Sequence, residues 1–310
     1  MTSLSIRNLI VEKPRRRGTL TLVGPLDLDL RRGEILGLVG ESGSGKTLTL
    51  RALAGIPPAG LEVRDSSGTY HPPCRTAMVF QDPMGFFNPR WRISRSLEEV
   101  LRVVRRVPAP VAPARAGELL EAVGLAREEG KLFPFEMSGG MVQRSAIAMA
   151  LAVEPEVMLA DEVTSALDPA TRDRILQLLC RVGRERQVAT IVVSHDLPSL
   201  AAVADRVIVL YGGRAIEEGS PGEILGKPRH RYTDLLVRSL PGRETRGAPL
   251  PEIPRDPAGD PILSSSAGGC PFARRCPVAL ARCHGELPDW SGEKNHRFRC
   301  FVPVRGEDHG

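Results

Sequence analysis

No apolar run in this 310-residue sequence approaches the ~18 residues needed to span a bilayer; the longest, near residues 146–153, is far too short. A signal-peptide pattern is also missing, since residues 1–11 alternate as a strand does and are followed by Lys13-Pro14-Arg15-Arg16-Arg17. These absences lead us to expect a chain that stays in the cytoplasm. Charge of one sign is not gathered into a block: 42 Lys and Arg stand against 37 Asp and Glu, a net +5, and the arginines are spread along the whole chain. The basic pI of ≈ 9.0 is therefore a weak pointer to nucleic acid or an anionic membrane. Six cysteines in a chain expected in the cytosol do not make a disulfide framework, and four of them fall after residue 269.

What is present begins with a core-sized apolar fraction, 42%, enough for one large α/β domain with an appendage or for two modest domains. The chain is organised around Gly40-Glu41-Ser42-Gly43-Ser44-Gly45-Lys46-Thr47, which fits the G-x-x-x-x-G-K-[ST] pattern of a phosphate-binding loop. Its context is right: the apolar run 35–39 leads in and the helix-compatible run 48–54 leads out. Glycines let successive backbone N–H groups turn inward around an anion, and the helix that follows adds the positive end of its dipole. Lys46 is expected to reach the β- and γ-phosphates, and the Thr47 hydroxyl to ligate Mg²⁺.

Residues 4–11 and 20–30 read as two strands, a small antiparallel layer ahead of an α/β core. Residues 55–73 are rich in Gly, Pro and Ser, and a short apolar strand, 76–80, then ends at Gln81, well placed to face a ligand. Residues 82–93 put two prolines, a glycine and three exposed-looking aromatics in one loop, a pattern that points to a partner. Helices are expected over 96–106 and 114–123, together forming a helical subdomain. Ser138-Gly139-Gly140 opens a long helix through residue 153 and offers a second anion site at a helix N-terminus. The apolar strand 157–160 ends in Asp161-Glu162, followed by Ser165-Ala166-Leu167-Asp168, a helix over 169–182, a strand over 188–193, and Ser194-His195-Asp196. A last strand pair, 205–210 and 214–218, closes the nucleotide core near residue 220.

In this order the motifs resemble those of the ATPase subunit of an ATP-binding cassette (ABC) transporter: the loop at 40–47, Gln81, the signature Ser138-Gly139-Gly140-Met141-x-Gln143, Asp161-Glu162, Ser165-Ala166-Leu167-Asp168 and His195. Pro228-Arg229-His230-Arg231-Tyr232-Thr233 and Cys270-Pro271-Phe272-Ala273-Arg274-Arg275-Cys276-Pro277 are similar to the C-terminal extension of the oligopeptide, dipeptide and nickel importer ATPases. The resemblance implies an α/β P-loop NTPase core with an antiparallel β layer and a helical signature subdomain, about 82–155, in a domain over 1–225. A small loop-rich, cysteine-containing extension over 226–310 would follow. It also implies ATP and Mg²⁺ as ligands, with Thr47, Gln81 and Asp161 around the ion, Glu162 as general base for the attacking water, Gln81 also catalytic in touching that water, and His195 at the γ-phosphate. In such proteins Ser138, Gly139 and Gly140 would close over ATP held by a second ATPase subunit, commonly a different, related one. The loop 82–93 would dock on two membrane permease subunits fed by an extracytoplasmic binding protein, at the cytoplasmic face of the membrane. No nucleic acid is expected. The competing reading is a non-transport ABC ATPase acting on nucleic acid or ribosomes; such relatives carry two cassettes or a coiled-coil insertion, whereas the roughly ninety residues from Thr47 to Ser138 hold no sustained heptads.

Two departures stand out. No aromatic follows the first strand to stack on adenine, only Val11-Glu12-Lys13, so the base contact is weaker or comes from an Arg or Lys. Val163 and Met137 replace a common proline and leucine. The cysteines Cys270, Cys276, Cys283 and Cys300, spaced C-x5-C-x6-C-x16-C, suit a [4Fe–4S] cluster or tetrahedral zinc, with reduced thiols or a disulfide as the remaining alternatives. Zinc sites usually show tighter Cys pairs, which favours the cluster. Cys74 and Cys180 read as ordinary cysteines, residues 241–268 as a linker, and His284, His296 and His309 as solvated histidines.

Overall fold

The computed structural model describes residues 2–16, 18–164, 167–240, 254, 268–293 and 295–304. Ser165, Ala166, nearly all of the linker 241–268, and His309 lie outside the described residues.

Short apolar runs bounded by turns make strands that are buried on both faces, and the centre of the molecule is built from them. In chain order come β1 (Thr2–Pro14), β2 (Thr19–Arg31), β3 (Ile35–Val39), α1 (Lys46–Leu53), β4 (Glu62–Asp65), β5 (Gly68–Thr69) and β6 (Thr76–Val79). The helices α2 (Ile93–Val103), α3 (Ala112–Ala122) and α4 (Gly139–Ala152) follow, then β7 (Val157–Asp161), α5 (Pro169–Glu185), β8 (Ala189–Val193), α6 (Leu197–Ala201), β9 (Arg206–Tyr211) and β10 (Arg214–Gly219). The chain continues through α7 (Pro221–Gly226), α8 (Arg231–Arg238), β11 (Ser291–Glu293) and β12 (His296–Phe298). β2, β1, β4 and β5 form the antiparallel layer; the larger sheet runs β11-β12-β10-β9-β3-β8-β7-β6, parallel from β9 to β6.

Side-chain alternation in the parallel strands divides the core in two. Ile35, Val39, Met158, Ala160 and Val192 point to the side covered by α2–α5. Leu36, Leu38, Leu159, Ile191 and Val193 point to the side covered by α1 and the antiparallel layer. A strand with a polar face could not do this, which is why these five-residue runs read as wholly apolar.

The segment 55–73, legible only as Gly, Pro and Ser, contains β4 and β5: Val63 pairs with Val11 and is buried. Strands of four and two residues carry too little periodicity to be seen. Of the aromatics in the 82–93 loop, Phe86 is 43% exposed, but Phe87 is 5% exposed and belongs to the core beneath α2. That corrects the expectation of three exposed aromatics.

The C-terminal segment joins the larger sheet instead of standing off it. β12 pairs antiparallel with β10, Glu217 opposite Phe298 and Gly219 opposite His296. The wholly buried carboxylate of Glu217 accepts the backbone N–H of Arg229 (2.7 Å) and of His230 (2.8 Å) and pairs with His296 Nε2 (2.7 Å). His296 is thus a structural partner, not the solvated histidine its sequence position suggested; His284 is exposed.

Candidate active site

Strand register sets the site. Leu38 and Asp161 both stand opposite Val193, and Ala160 stands opposite Val79. Four adjacent parallel strands, β3, β8, β7 and β6, therefore end together, and each runs within two residues into a singled-out segment: Gly40, His195, Glu162 and Gln81. A crevice at the carboxyl ends of such strands is where open α/β sheets bind ligands.

The loop 40–47 is fixed by its neighbours. A Cβ on Gly40 would lie 2.2 Å from the carbonyl oxygen of Leu210, so only glycine fits. The Ser44 carbonyl accepts the N–H of Gly213 at 3.0 Å, tying the loop to the turn between β9 and β10. Lys46 is buried, and its ammonium donates to the carbonyls of Gly40 (2.8 Å) and Glu41 (2.9 Å) and to Ser44 Oγ (3.4 Å). Burial pulls its pKa down, against the charges of Glu162, Asp161 and Glu41.

At the start of α1, the Thr47 hydroxyl donates to Asp161 Oδ1 at 2.9 Å. Burial raises the Asp161 pKa, and the Thr47 hydrogen bond opposes this. A hydroxyl and a buried carboxylate held together are hard oxygen donors of the kind Mg²⁺ takes, so this pair fits that ion.

Glu162 has φ 46°, in the left-handed region that a β-carbon disfavours by roughly 1–2 kcal/mol. Its N–H donates to the Val193 carbonyl at 3.2 Å, holding that turn, and its Oε2 lies 3.9 Å from His195 Nδ1. Local strain of this kind collects at functional positions. His195 is positioned by its successor: Asp196 caps α6, accepting from Ser199 N–H at 3.2 Å, and takes a 2.6 Å bond from Arg172. Gln81 is exposed just beyond β6.

Ser138 caps α4, accepting the Met141 N–H at 3.4 Å. Ser138 and Gly139 are exposed, and the nearest neighbours of Gly139 and Gly140 are Leu167 and Thr171, on the segment that enters α5. The Ser-Gly-Gly is thus a surface feature beside Leu167-Asp168.

Comparison with known proteins decides the family. Residues 23–165 match the family model "ABC transporter" and residues 216–283 the model "Oligopeptide/dipeptide transporter, C-terminal region". The Oligopeptide transport ATP-binding protein OppD of Salmonella typhimurium is 36% identical, covering 97% of this chain and 94% of its own. The Dipeptide transport ATP-binding protein DppD of Bacillus subtilis is 35% identical, covering 99% and 96%. The chain belongs to the ATP-binding subunits of the oligopeptide/dipeptide ABC transporter family. Among solved structures, the ATP-binding cassette MJ0796 bound to ADP and Pi, a dimer in a post-hydrolysis state, has a TM-score of 0.59 and 26% identity, covering 71% of this chain and 99% of its own. This protein is therefore an ABC-type ATPase with the cassette fold, and no described helix is long and apolar enough to cross a membrane.

In this ABC ATPase the four C-terminal cysteines face one small apolar cavity, with His230 and Phe272 also in its wall. Leu280 N–H points to Cys283 Sγ at 3.4 Å. His230 Nδ1 accepts the Tyr232 N–H, and its Nε2 lies 3.8 Å from Cys270 Sγ. Burial drives the thiol of Cys270 up to about 12 and raises those of Cys276 and Cys300. Among the described residues no group of three or more Cys, His, Asp or Glu is spaced to hold a metal ion, so the expected iron–sulfur cluster and its zinc alternative are both without support there.

Sequence reasoning missed Arg275, Tyr211 and Tyr232, which surround Glu41 of the phosphate loop. No motif joins residues so far apart in the chain. Only the Arg in Phe272-Ala273-Arg274-Arg275-Cys276 could have drawn attention.

Proposed function

We propose that this ATPase drives peptide import. One observation carries the catalytic part: four segments end together on adjacent strands, with Thr47 and Asp161 in contact. ATP is held by the amides of loop 40–47 and by Lys46. Thr47, Asp161 and Gln81 would hold Mg²⁺, which would supply charge neutralisation to the phosphates. Glu162 takes the proton of the attacking water, and His195, 3.9 Å from its carboxylate, contacts the γ-phosphate. Ser138, Gly139 and Gly140 serve the loop of a second, related subunit; the exposure of Ser138 and Gly139 at a helix N-terminus supports that role.

The peptide substrate rests on the near full-length relatives whose names specify oligopeptides and dipeptides. They favour transport over the nucleic-acid or ribosome alternative. Two permease subunits at the cytoplasmic face of the membrane receive the 82–93 loop, where Asp82 Oδ1 accepts from Met84 N–H (3.0 Å) and holds Met84 and Phe86 outward. The test is isolation of the complex from the membrane with its extracytoplasmic binding protein. Peptides identified on that protein are the expected result; an ATPase recovered with ribosomes and without membrane subunits contradicts the reading.

The four thiols are read as ligands of a [4Fe–4S] cluster. Support comes from their shared cavity and from the Leu280 N–H at 3.4 Å from the Cys283 sulfur, which suits a thiolate ligand. Anaerobically purified protein is expected to be brown, to absorb near 400 nm and to contain iron. Zinc alone, or no metal, overturns it.

A further inference from the structure

Glu41, the second residue of the phosphate loop, is held from both of its ends by the C-terminal part of the chain. Its N–H donates to the Tyr232 hydroxyl at 2.8 Å. Its carboxylate takes a forked pair of bonds from Arg275, Nη1 to Oε2 at 2.6 Å and Nη2 to Oε1 at 3.2 Å. Arg275 is itself fixed. Its side chain is 5% exposed, Nη1 also donates to the Tyr211 hydroxyl at 2.8 Å, Nε bonds the Pro254 carbonyl, and its backbone N–H donates to the Phe272 carbonyl at 2.9 Å. Phe272, wholly buried, packs edge-on to Tyr211 (5.3 Å between centroids) and lies 5.5 Å from Tyr232. A planar fork in a rigid aromatic setting loses little freedom on binding a carboxylate.

The clamp lands where the loop does its work. The Glu41 carbonyl is one of two that orient the Lys46 ammonium; the other belongs to Gly40, the residue before it. We propose that Arg275 is a positioning residue for ATP binding: by gripping Glu41 it holds the Gly40–Glu41 carbonyls that aim Lys46 at the phosphates. This rests on the reading of 40–47 as the nucleotide loop. Glu162 and His195 stand on other strands, so loosening Arg275 weakens ATP binding and leaves the hydrolytic step in place. Because the Glu41 side chain is 37% exposed, the pair adds little to overall stability. Its value lies in geometry.

The test uses the intact complex with its membrane subunits, with ATP as the probe. Arg275→Met and Glu41→Gln are each expected to raise KM for ATP by about five- to tenfold with kcat within twofold, and Arg275→Lys to recover part of the loss. The double variant Arg275→Met, Glu41→Gln is expected to be no worse than either single one, since both remove the same contact. Should Arg275→Met not fold, the decision passes to Glu41→Gln alone and combined with Arg275→Lys. An unchanged KM, a fall in kcat at constant KM, or losses that multiply in the double variant overturn the proposal. Lys46→Ala separates the layers: loss of ATP binding there with an unchanged KM in Arg275→Met overturns the clamp alone. Retained binding in Lys46→Ala overturns the loop reading and the clamp with it.

Discussion

Lys46 is a cation stored in a buried loop and satisfied by oxygens that carry no full charge. Its three partners are two carbonyls and a hydroxyl, while the nearest carboxylates act at a distance. Such a group is poised for an anion, since a phosphate supplies the charge that its burial leaves uncompensated. Lys46→Ala is expected to abolish ATP binding measured by equilibrium titration, and binding within twofold of wild type would contradict that assignment. Lys46, Thr47 and Asp161 were legible in the sequence because each sits at a fixed offset from a strand end. The left-handed turn at Glu162 and the grip of Arg275 on Glu41 were not. Backbone dihedrals and contacts between residues more than two hundred apart leave no local pattern.

Among the elements, β10 carries more than its six residues suggest. Glu217 and Glu218 end it with two carboxylates that face the returning chain: Glu217 holds Arg229, His230 and His296, and Glu218 holds Arg206 and Arg297. An exposed pair such as Arg7–Asp29, each about half exposed, is screened by water and contributes little. A buried carboxylate with three donors is different, because removing its charge leaves those donors desolvated. Glu217→Gln is expected to lower unfolding free energy in urea by about 2–4 kcal/mol, and a loss under about 0.5 kcal/mol would contradict this. The parallel strands and α2–α5 were legible because both carry long-established apolar periods. β11 and β12, three residues each with polar sequences, were not, since tertiary pairing with β10 and not local propensity makes them strands.

For the whole molecule, the sheet brings Gly40, Gln81, Glu162 and His195 to one edge, and the helical subdomain carries Ser138 and Gly139 exposed on its surface. Leu167 and Thr171 flank the Ser-Gly-Gly, so the signature and the entry to α5 adjoin. The 82–93 loop, with Met84 and Phe86 exposed, is a separate surface. Phe86→Asp is expected to reduce recovery of the ATPase with its membrane subunits by tenfold or more on affinity isolation, as loss of a central apolar anchor does, and unchanged recovery would remove Phe86 from that interface. On the proposed function the chain holds ATP at 40–47 and hydrolyses it through Glu162, and the deciding measurement is turnover and bound-nucleotide content of the intact complex carrying Glu162→Gln. The expected result is ATP retained with kcat reduced by about 10²–10⁴; ATP turned over at the wild-type rate would contradict it.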